Sequence, residues 1–464
     1  MLTDSARRQR QLAIIVTILG SFNSPFMATS VNVALPSIGL EFQLEPLLLG
    51  WISTSYLLAL APFLISFGRL GDIQGHRKVL TVGLLLHLTA SGLIAFSASG
   101  PMIIVGRILQ GGAYSMVQST LIPMLLSSIP VDGRGKFLGI TTASTYFGHS
   151  AGPFLGGIIT HYLGWRYIFW CNIAMSLTTL ALMQLIREDS PVAARGEKFD
   201  FPGAAFLGGG ILATMYGFTT LPSPAAALLI VAGIGSLSCF VYFETRTPQP
   251  IIDINLFRRN LAFAFSNLAA LIHYAATFAI SFLLSLYLQK VKALTPEVAG
   301  LVLVSQPIVQ AVFSPLAGRL SDRLEPRLLA TWGMTGTLLG LIMLAFLQAA
   351  STLWYVVLCQ VIIGCGYALF SSPNAHAIMS SVDGRSYGVA MATLGTMRQV
   401  GNTFSMGLVM LAMSVLVGKA DITPAHPGPF IASMTTTFAI FALLCFGGIF
   451  ASLARGNIQR GEQA

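Results

Sequence analysis

The sequence has little charge. Only 9% of its 464 residues are Asp, Glu, Lys or Arg, whereas soluble globular proteins carry about 25%. Hydrophobic residues make up 54% of the chain, which is more than a water-soluble fold of this size can bury. A bilayer core of about 30 Å needs about 20 apolar residues per helix, so the chain has room for roughly twelve to fourteen membrane-spanning helices. These proportions exclude a soluble globular domain.

Cysteine is also scarce, with five residues in the chain. Each lies inside a hydrophobic run, without the close pairs or neighbouring histidines that a disulfide or a zinc site needs. We therefore expect no metal and no cofactor. The sequence likewise lacks a clustered nucleophile, so we do not expect an enzyme. The five cysteines are Cys171, Cys239, Cys359, Cys365 and Cys445.

Basic residues outnumber acidic ones, 26 to 17, which gives a net charge of +9. They fall between hydrophobic runs, where they set the orientation of a membrane protein, so nucleic acid is not an expected partner. If the N-terminus is cytoplasmic, 20 Lys and Arg residues lie in or beside cytoplasmic segments, four face outward, and Arg107 and Arg398 lie within runs. This asymmetry predicts a multi-pass protein of the cytoplasmic (inner) membrane with both termini in the cytoplasm.

Fourteen apolar runs, bounded by charge or by Gly and Pro, predict an all-α membrane protein with 14 transmembrane helices. The first run is too long for the core of a signal peptide, so we expect it to be retained. The runs cover residues 12–36, 47–68, 79–98, 101–126, 137–161, 166–186, 202–220, 225–243, 261–289, 297–317, 328–348, 353–379, 386–417 and 429–453.

The chain also contains an internal repeat, which predicts duplication of a six-helix unit. We expect an N-terminal six-helix bundle at 1–190, a linker and inserted helix pair at 191–245, and a C-terminal six-helix bundle at 246–464. The matches, at offsets of 250, 251 and 253, are GRLGD at 68–72 with GRLSD at 318–322, DGR at 132–134 with DGR at 383–385, and the stretch 111–114 with 364–367.

Two motifs resemble those of a known family of membrane proteins. The stretch GRLGDIQGHRK at 68–78 resembles the signature loop between helices two and three of the major facilitator superfamily. The stretch GHSAGPFLGG at 148–157 resembles the helix-five motif of that superfamily's drug:proton antiporters. With fourteen runs, the chain is similar to the fourteen-helix branch of those antiporters. The matching residues of the first motif are Gly68, Asp72, Gly75 and Arg77.

The resemblance implies two six-helix bundles around a central cavity, with two inserted helices. It implies a secondary active transporter that exports a small organic molecule, drug-like or metabolite, by alternating access and in exchange for protons. A small-molecule substrate, the proton and the lipid bilayer are the expected partners of a monomer. Two alternatives stay open: transport of an anionic metabolite or lipid-like solute without a membrane carboxylate, and a membrane sensor or enzyme on a transporter scaffold.

One departure from the family pattern bears on proton coupling. In that branch an acidic residue stands two positions before the threonine of helix one, but here Thr29 is preceded by Met27. None of the 17 Asp and Glu falls in the middle of a run, so the usual midplane proton carrier is missing. Histidine is the only side chain whose unperturbed pKa lies near neutral pH. His149, beside Tyr146 in the middle of the fifth run, is therefore the candidate proton carrier.

The two arginines inside runs are the candidate cavity charges. An arginine in a span costs about 2.5–3.5 kcal/mol on insertion scales unless it is solvated or paired. For Arg107 we expect either a tie between helices four and one or contact with substrate. Arg398 lies deeper, and we expect it to contact the substrate or an anion. The remaining substrate candidates are Met27, Gln306 and Asn374. His87 has no polar neighbours in the sequence and is expected to be structural.

The glycine-rich motifs are candidates for conformational control. We expect Asp72 at the start of helix three, where it accepts hydrogen bonds from exposed backbone N–H groups and acts as a latch between the halves. Asp322 is its counterpart in the second repeat.

The helix-five motif adds a second conformational candidate. Gly148, Gly152 and Gly156 lie on one side of a helix and permit close approach of another helix. Pro153 favours a bend, because it removes a backbone hydrogen bond, and we expect this bend to close one side of the transport path.

Overall fold

The computed structural model describes residues 4–127, 134–186, 197–247, 254–321, 324–382, 387–418, 422 and 426–455, and within them every regular element is a helix. The helices are α1 Asp4–Phe42, α2 Pro46–Leu60, α3 Leu64–Gln74, α4 His76–Ala95, α5 Gly100–Ser127, α6 Arg134–Tyr162, α7 Arg166–Gln184, α8 Phe201–Thr219, α9 Pro224–Glu244, α10 Ile254–Arg259, α11 Leu261–Thr277, α12 Ile280–Leu286, α13 Pro296–Leu303, α14 Ser305–Ser321, α15 Pro326–Ala345, α16 Leu353–Ser380, α17 Tyr387–Leu416 and α18 Gly428–Leu453.

Local sequence signals fix several helix starts. Pro46, Pro224, Pro296 and Pro326 are the first residues of α2, α9, α13 and α15, where the missing N–H costs nothing and the ring already holds a helical φ. Asp200 caps α8 by accepting a hydrogen bond from the Gly203 amide at 2.9 Å. Between these starts the chain is apolar, and in lipid such a chain must satisfy its backbone hydrogen bonds within helices.

Twelve helical segments in the described chain are long and apolar enough to cross a membrane. Three of them join consecutive helices: α2 with α3, α11 with α12, and α13 with α14. Two further helices, α5 and α6, are not among the twelve, yet their 28 and 29 residues make them about 40 Å long at 1.5 Å per residue. The all-α membrane fold is confirmed, and the count of fourteen spans stays a prediction.

The acidic residues lie at helix ends, as expected from the sequence. Glu45, Asp200 and Glu325 directly precede α2, α8 and α15, and Glu244 is the last residue of α9. Glu297 lies in the first turn of α13. Within the described residues the middle of the bundle therefore has no carboxylate.

The internal repeat is confirmed in the helix contacts. Arg107 Nε donates to the Ile52 carbonyl at 3.1 Å, and Gln360 Nε2 donates to the Val302 carbonyl at 3.0 Å; the donors differ by 253 positions and the acceptors by 250. Duplicated helices therefore make duplicated contacts. The three-part division at 1–190, 191–245 and 246–464 stays a prediction.

Glycines place helix backbones in direct contact in both copies of the repeat. A Cβ added at Gly111 would lie 2.2 Å from the Tyr56 carbonyl oxygen, and one at Gly364 would lie 2.7 Å from that of Gln306. In lipid, where apolar side chains gain little by leaving the solvent, such small residues permit the close packing that holds helices together.

Helices α8 and α9 pair with each other and join the rest of the bundle through α8. This helix packs on α17 and on the short 3₁₀ turn Ala61–Phe63 that connects α2 to α3. The Gly208 backbone approaches the carbonyl of Pro62, where an added Cβ would lie 3.3 Å from the oxygen. The pair therefore contacts both repeats along one side of the bundle.

The helix-five glycines pack α6 against α1. Added Cβ atoms at Gly148 and Gly152 would lie 2.5 Å and 2.9 Å from the carbonyl oxygens of Phe22 and Phe26, and Ser30 Oγ donates to the Gly152 carbonyl at 2.9 Å. The contacts follow the same order in both helices, so α1 and α6 run parallel. The expected close approach at these glycines is confirmed.

The packing at Gly152 gives a testable prediction. In Gly152→Ala the new Cβ would lie 1.8 Å from Thr29 Oγ1 as well as 2.9 Å from a backbone carbonyl, so α1 and α6 must separate. Overpacking costs about 1–3 kcal/mol, and we expect a lower midpoint of thermal unfolding in detergent. Gly447→Ala on α18 is the control, because nothing lies within 4 Å of its Cβ position. Equal midpoints for the two variants would contradict the packing account.

Candidate functional site

Six polar side chains from five helices lie midway along the bundle and form what we call the central polar cluster. Tyr114, His149 and Tyr367 lie within two residues of the midpoints of α5, α6 and α16. All three, and Tyr146, interact electrostatically with Arg398 of α17. Helices of both repeats thus contribute to one site. The cluster consists of Tyr114, Tyr146, His149, Tyr274, Tyr367 and Arg398.

Arg398 is the positive charge of this cluster. Its side chain is partly exposed, and among the described residues it has no hydrogen-bond or ion-pair partner. The ion pairs of the described chain, such as Arg166 with Glu41 at 2.7 Å, involve residues at or near helix ends. The guanidinium therefore keeps its donors available to a group that enters the site.

His149 lies on α6, one turn beyond Tyr146, and it too is partly exposed. The described part of the chain offers its ring no hydrogen-bond partner. Its charged neighbour is Arg398. The structure thus brings together three sequence-predicted site residues, His149, Tyr146 and Arg398, from different repeats.

Aromatic rings surround the polar atoms of the cluster. Tyr274 and Tyr367 meet edge to face with ring centroids 5.9 Å apart. His273 stacks on Phe370 at 4.1 Å beside them. The site therefore combines a cation, hydroxyl groups and aromatic faces, which suits an organic molecule with polar substituents.

Two polar bridges join the repeats close to the cluster. The hydroxyls of Tyr146 and Ser371 are 2.7 Å apart, and Gln399 Nε2 donates to Gln118 Oε1 at 3.4 Å. The bridges are related by the repeat, because Gln399 is 253 positions after Tyr146 and Ser371 is 253 positions after Gln118. One pseudo-twofold axis therefore passes between them.

A second set of contacts joins the repeats farther along α1. Ser285 Oγ donates to the Asn32 carbonyl at 2.7 Å, and Gln289 Nε2 donates to the Val33 carbonyl at 2.9 Å. Because α6 runs parallel to α1 and Gly148 meets Phe22, this layer lies about 15 Å beyond the level of His149, at 1.5 Å per residue. The central polar cluster is therefore separated from this end of the bundle.

The helix-five motif also lies at a contact between the repeats. An added Cβ at Gly300 of α13 would lie 2.2 Å from the Pro153 carbonyl oxygen, and one at Gly157 would lie 2.6 Å from that of Pro296. Pro153 thus lies where α6 meets the second repeat, beside the layer of Asn32 and Ser285. Its role in closing one side of the path stays a prediction.

Arg107 does not belong to the central polar cluster. Its side chain is 2% exposed, Nη1 donates to Gln110 Oε1 at 2.6 Å, and the guanidinium lies 4.3 Å from the centre of the Tyr56 ring. The acceptor of its Nε, Ile52, is on α2. The expectation that Arg107 ties its helix to helix one was wrong. The helix that this part of α5 contacts through Arg107 is α2.

His87 has polar partners that the sequence did not indicate. Its ring nitrogens lie 3.4 Å from the Gln110 carbonyl and 3.3 Å from Asn172 Oδ1, and Asn172 also donates to Ser91 Oγ at 2.8 Å. These groups come from α4, α5 and α7. The lack of polar neighbours in the sequence was misleading, because the partners are on other helices.

Three candidate substrate residues lie elsewhere. Met27 is 3% exposed and packs in the apolar core. Asn374 is buried and donates to the Ser266 carbonyl at 3.3 Å. Gln306, near the start of α14, is partly exposed and presents its carbonyl to Gly364. Contact of these three with substrate stays a prediction.

Asp72 is not at the start of a helix. It lies in the last turn of α3, and its Oδ1 is 3.3 Å from His76 Nε2 at the start of α4. The prediction that Asp72 accepts hydrogen bonds from exposed backbone N–H groups is wrong, because α3 continues to Gln74. Gly75, with φ of +99°, makes the turn to α4. Such a φ favours glycine.

The other residues of this motif lie around the same turn. A Cβ added at Gly68 would lie 3.6 Å from the Cβ of Ser119. A Cβ added at its counterpart Gly318 would lie 3.1 Å from Ser372 Oγ. Arg77 is half-buried in the first turn of α4. Asp322 lies outside the described residues.

The sequence interpretation missed Tyr114, Tyr274 and Tyr367. A signal for two of them was present, because Tyr114 and Tyr367 end the repeated stretches 111–114 and 364–367. Their helices α5 and α16 meet α2 at Gly111 and α14 at Gly364, which places the tyrosines near the pseudo-twofold axis. No comparable sequence signal marks Tyr274.

Comparisons with known proteins agree with this architecture. The riboflavin transporter RibZ of Clostridioides difficile (strain 630) is 28% identical over 449 residues, which cover 95% of this chain and 96% of that protein. The tetracenomycin C resistance and export protein of Streptomyces glaucescens is 28% identical over 408 residues, which cover 86% and 74%.

A solved structure shares the fold. The crystal structure of a bacterial homolog to the human lysosomal transporter Spinster, inward-facing and unoccupied, superposes with a TM-score of 0.70 at 14% identity and covers 98% of each chain. The family model of the Major Facilitator Superfamily matches residues 17–404 and 266–460. This chain therefore belongs to the major facilitator superfamily, whose members are multi-span membrane transporters of small molecules.

Proposed function

We propose that this protein exports a small organic molecule across the cytoplasmic membrane by alternating access and in exchange for protons. The observation that carries the proposal is the central polar cluster, which lies midway along the helices and draws its side chains from both repeats. A site between two halves can be opened to either side by rocking one half against the other.

The contacts between the repeats support alternating access. On one side of the cluster Ser285 and Gln289 bond to backbone carbonyls of α1, and at the cluster itself Tyr146 and Gln399 form side-chain bridges. Each set contains few hydrogen bonds. Such sets can form and break with small free-energy differences between conformations, as a transport cycle requires.

The relatives support a small organic solute and outward movement. One of them is a riboflavin transporter and another is a resistance and export protein. A site with aromatic faces and a few polar groups, as in the central polar cluster, can accept such molecules.

Proton coupling is proposed to use His149. With no carboxylate in the middle of the described bundle, His149 is the partly exposed histidine that lies beside the charge of Arg398. Like charges disfavour each other, so Arg398 would promote release of the proton from His149. Entry of a neutral solute would then complete the exchange.

We expect His149→Gln to lose transport driven by an imposed pH gradient while keeping downhill exchange of solute. The amide keeps hydrogen-bonding capacity but cannot carry a proton. Proteoliposomes with and without a gradient would measure this, and His161→Gln at the end of α6 is the matched control. Wild-type transport that ignores the gradient would reject proton coupling, and full coupling in His149→Gln would place the proton elsewhere.

The orientation can be tested separately. We propose that both termini and the segment 187–200 are cytoplasmic, because basic residues concentrate there. On a background without the five native cysteines, we expect a cysteine at the exposed Lys198 to resist an impermeant thiol reagent added outside intact cells. A cysteine at Ala350, exposed between α15 and α16, should react. The opposite pattern would invert the topology.

The latch role of Asp72 is a further part of the proposal. Its contact with His76 joins the ends of α3 and α4, far from the central polar cluster. We expect Asp72→Asn to lower the transport rate severalfold while substrate affinity changes less than twofold, because the residue biases conformations and does not contact solute.

Glu325→Gln in the second repeat is the matched control for Asp72→Asn. It removes the 3.2 Å ion pair between Glu325, directly before α15, and Arg327 in the first turn of α15. Transport rates and binding affinities of the purified variants give the comparison. A normal transport rate in Asp72→Asn would leave the motif with an orientation role alone.

A further inference from the structure

The charge of Arg398 is uncompensated, in contrast to that of Arg107. Arg107 is enclosed by the Ile52 carbonyl, the Gln110 side chain and the Tyr56 ring. Arg398 is partly exposed and, within the described chain, has neither an ion pair nor a hydrogen bond. Arg107 is thus satisfied by contacts within the fold, whereas Arg398, in the middle of the bundle, is available to a ligand.

The repeat shows that packing does not require this charge. Thr145 stands 253 positions before Arg398, at the offset that relates Tyr146 to Gln399 and Gly148 to Gly401. Its hydroxyl donates to the Thr141 carbonyl of its own helix at 3.0 Å. A neutral side chain therefore fills the equivalent place in the first repeat.

An unpaired cation in the middle of a membrane protein selects the charge of what enters. Two unit charges about 6 Å apart, at the effective dielectric constant of about 20 that suits protein sites, change affinity by about a hundredfold. An organic anion gains this factor and an organic cation loses it. No carboxylate of the described bundle lies at this depth to reverse the preference.

The groups around Arg398 define the rest of the ligand. Its planar guanidinium can donate two parallel hydrogen bonds to a carboxylate. The hydroxyls of Tyr146 and Tyr367 lie close enough to interact with its positive charge. The rings of Tyr367 and Tyr274 offer aromatic faces. We propose that the central polar cluster binds aromatic organic anions, with the acidic group held by Arg398.

This inference rests on the proposed transport function but not on proton exchange. A bound anion would offset the repulsion between Arg398 and a protonated His149, so a proton and an anion would bind together and not compete. Export of an anion does not depend on such exchange, because the inside-negative membrane potential drives it outward. Neutral solutes would follow the exchange cycle proposed above.

Two xanthene dyes of matched size test the charge preference. Fluorescein is an anion at pH 7.5 and rhodamine 123 is a cation. Binding to the purified wild-type protein is measured by fluorescence anisotropy, and movement by release from proteoliposomes. We expect the wild type to bind fluorescein at least tenfold more tightly than rhodamine 123.

Variants at position 398 assign the preference to its side chain. We expect Arg398→Gln to lose fluorescein affinity by about tenfold to a hundredfold, without loss of rhodamine 123 binding, which also shows that the variant is folded. Arg398→Lys should recover part of the fluorescein affinity, since lysine keeps the positive charge but not the planar pair of N–H donors of the guanidinium. Lys290→Gln, at the far end of the bundle, removes a charge and should change neither dye.

The possible outcomes separate this inference from the proposed function. Equal or tighter binding of rhodamine 123 by the wild type, with transport intact, overturns the anion preference and leaves export standing. An unchanged fluorescein affinity in Arg398→Gln removes Arg398 from the site. If the wild type prefers fluorescein in binding but moves neither dye, the proposed export is rejected and the anion preference stands. If the wild type binds neither dye, the anion preference is rejected.

Discussion

Direct contact between helix backbones at glycine is the constraint on which the other features depend. Gly111 lies against the Tyr56 carbonyl, and Gly364 lies against that of Gln306. Any side chain at these positions would push α5 or α16 away from its neighbour. Because Tyr114 and Tyr367 follow these glycines by three residues, the same contacts place both tyrosines near the pseudo-twofold axis. The central polar cluster thus depends on helix packing that the repeat supplies twice.

The distribution of charge follows from the cost of placing ions in a membrane. Carboxylates of the described chain lie at or near helix ends, away from the middle of the bundle. Arg107 lies inside the bundle, but its guanidinium contacts a backbone carbonyl, a side-chain amide and an aromatic ring. Arg398 has no such shell among the described residues, and this difference turns one arginine into a packing residue and the other into the candidate ligand-binding charge.

Prediction from the sequence succeeded where the signal lay within one helix. The glycine spacing of 148–157 predicted the close approach of α6, and His149 and Arg398 lie near the middle of α6 and α17, as their positions along the runs indicated. It failed where the partner was on another helix. Arg107 bonds to α2 and not to α1, His87 meets Gln110 and Asn172, and Asp72 ends one helix instead of starting the next.

Hydrophobicity, charge position and repeat spacing follow directly from the order of residues, and they were enough to predict an all-α membrane protein with a duplicated unit. Which polar residues meet depends instead on tertiary packing. Tyr274 had no sequence signal, and the bridges of Tyr146 with Ser371 and Gln118 with Gln399 join residues 225 and 281 positions apart. Such contacts arise from the rotation of each helix about its axis and from its depth against its neighbours, which packing fixes and composition does not.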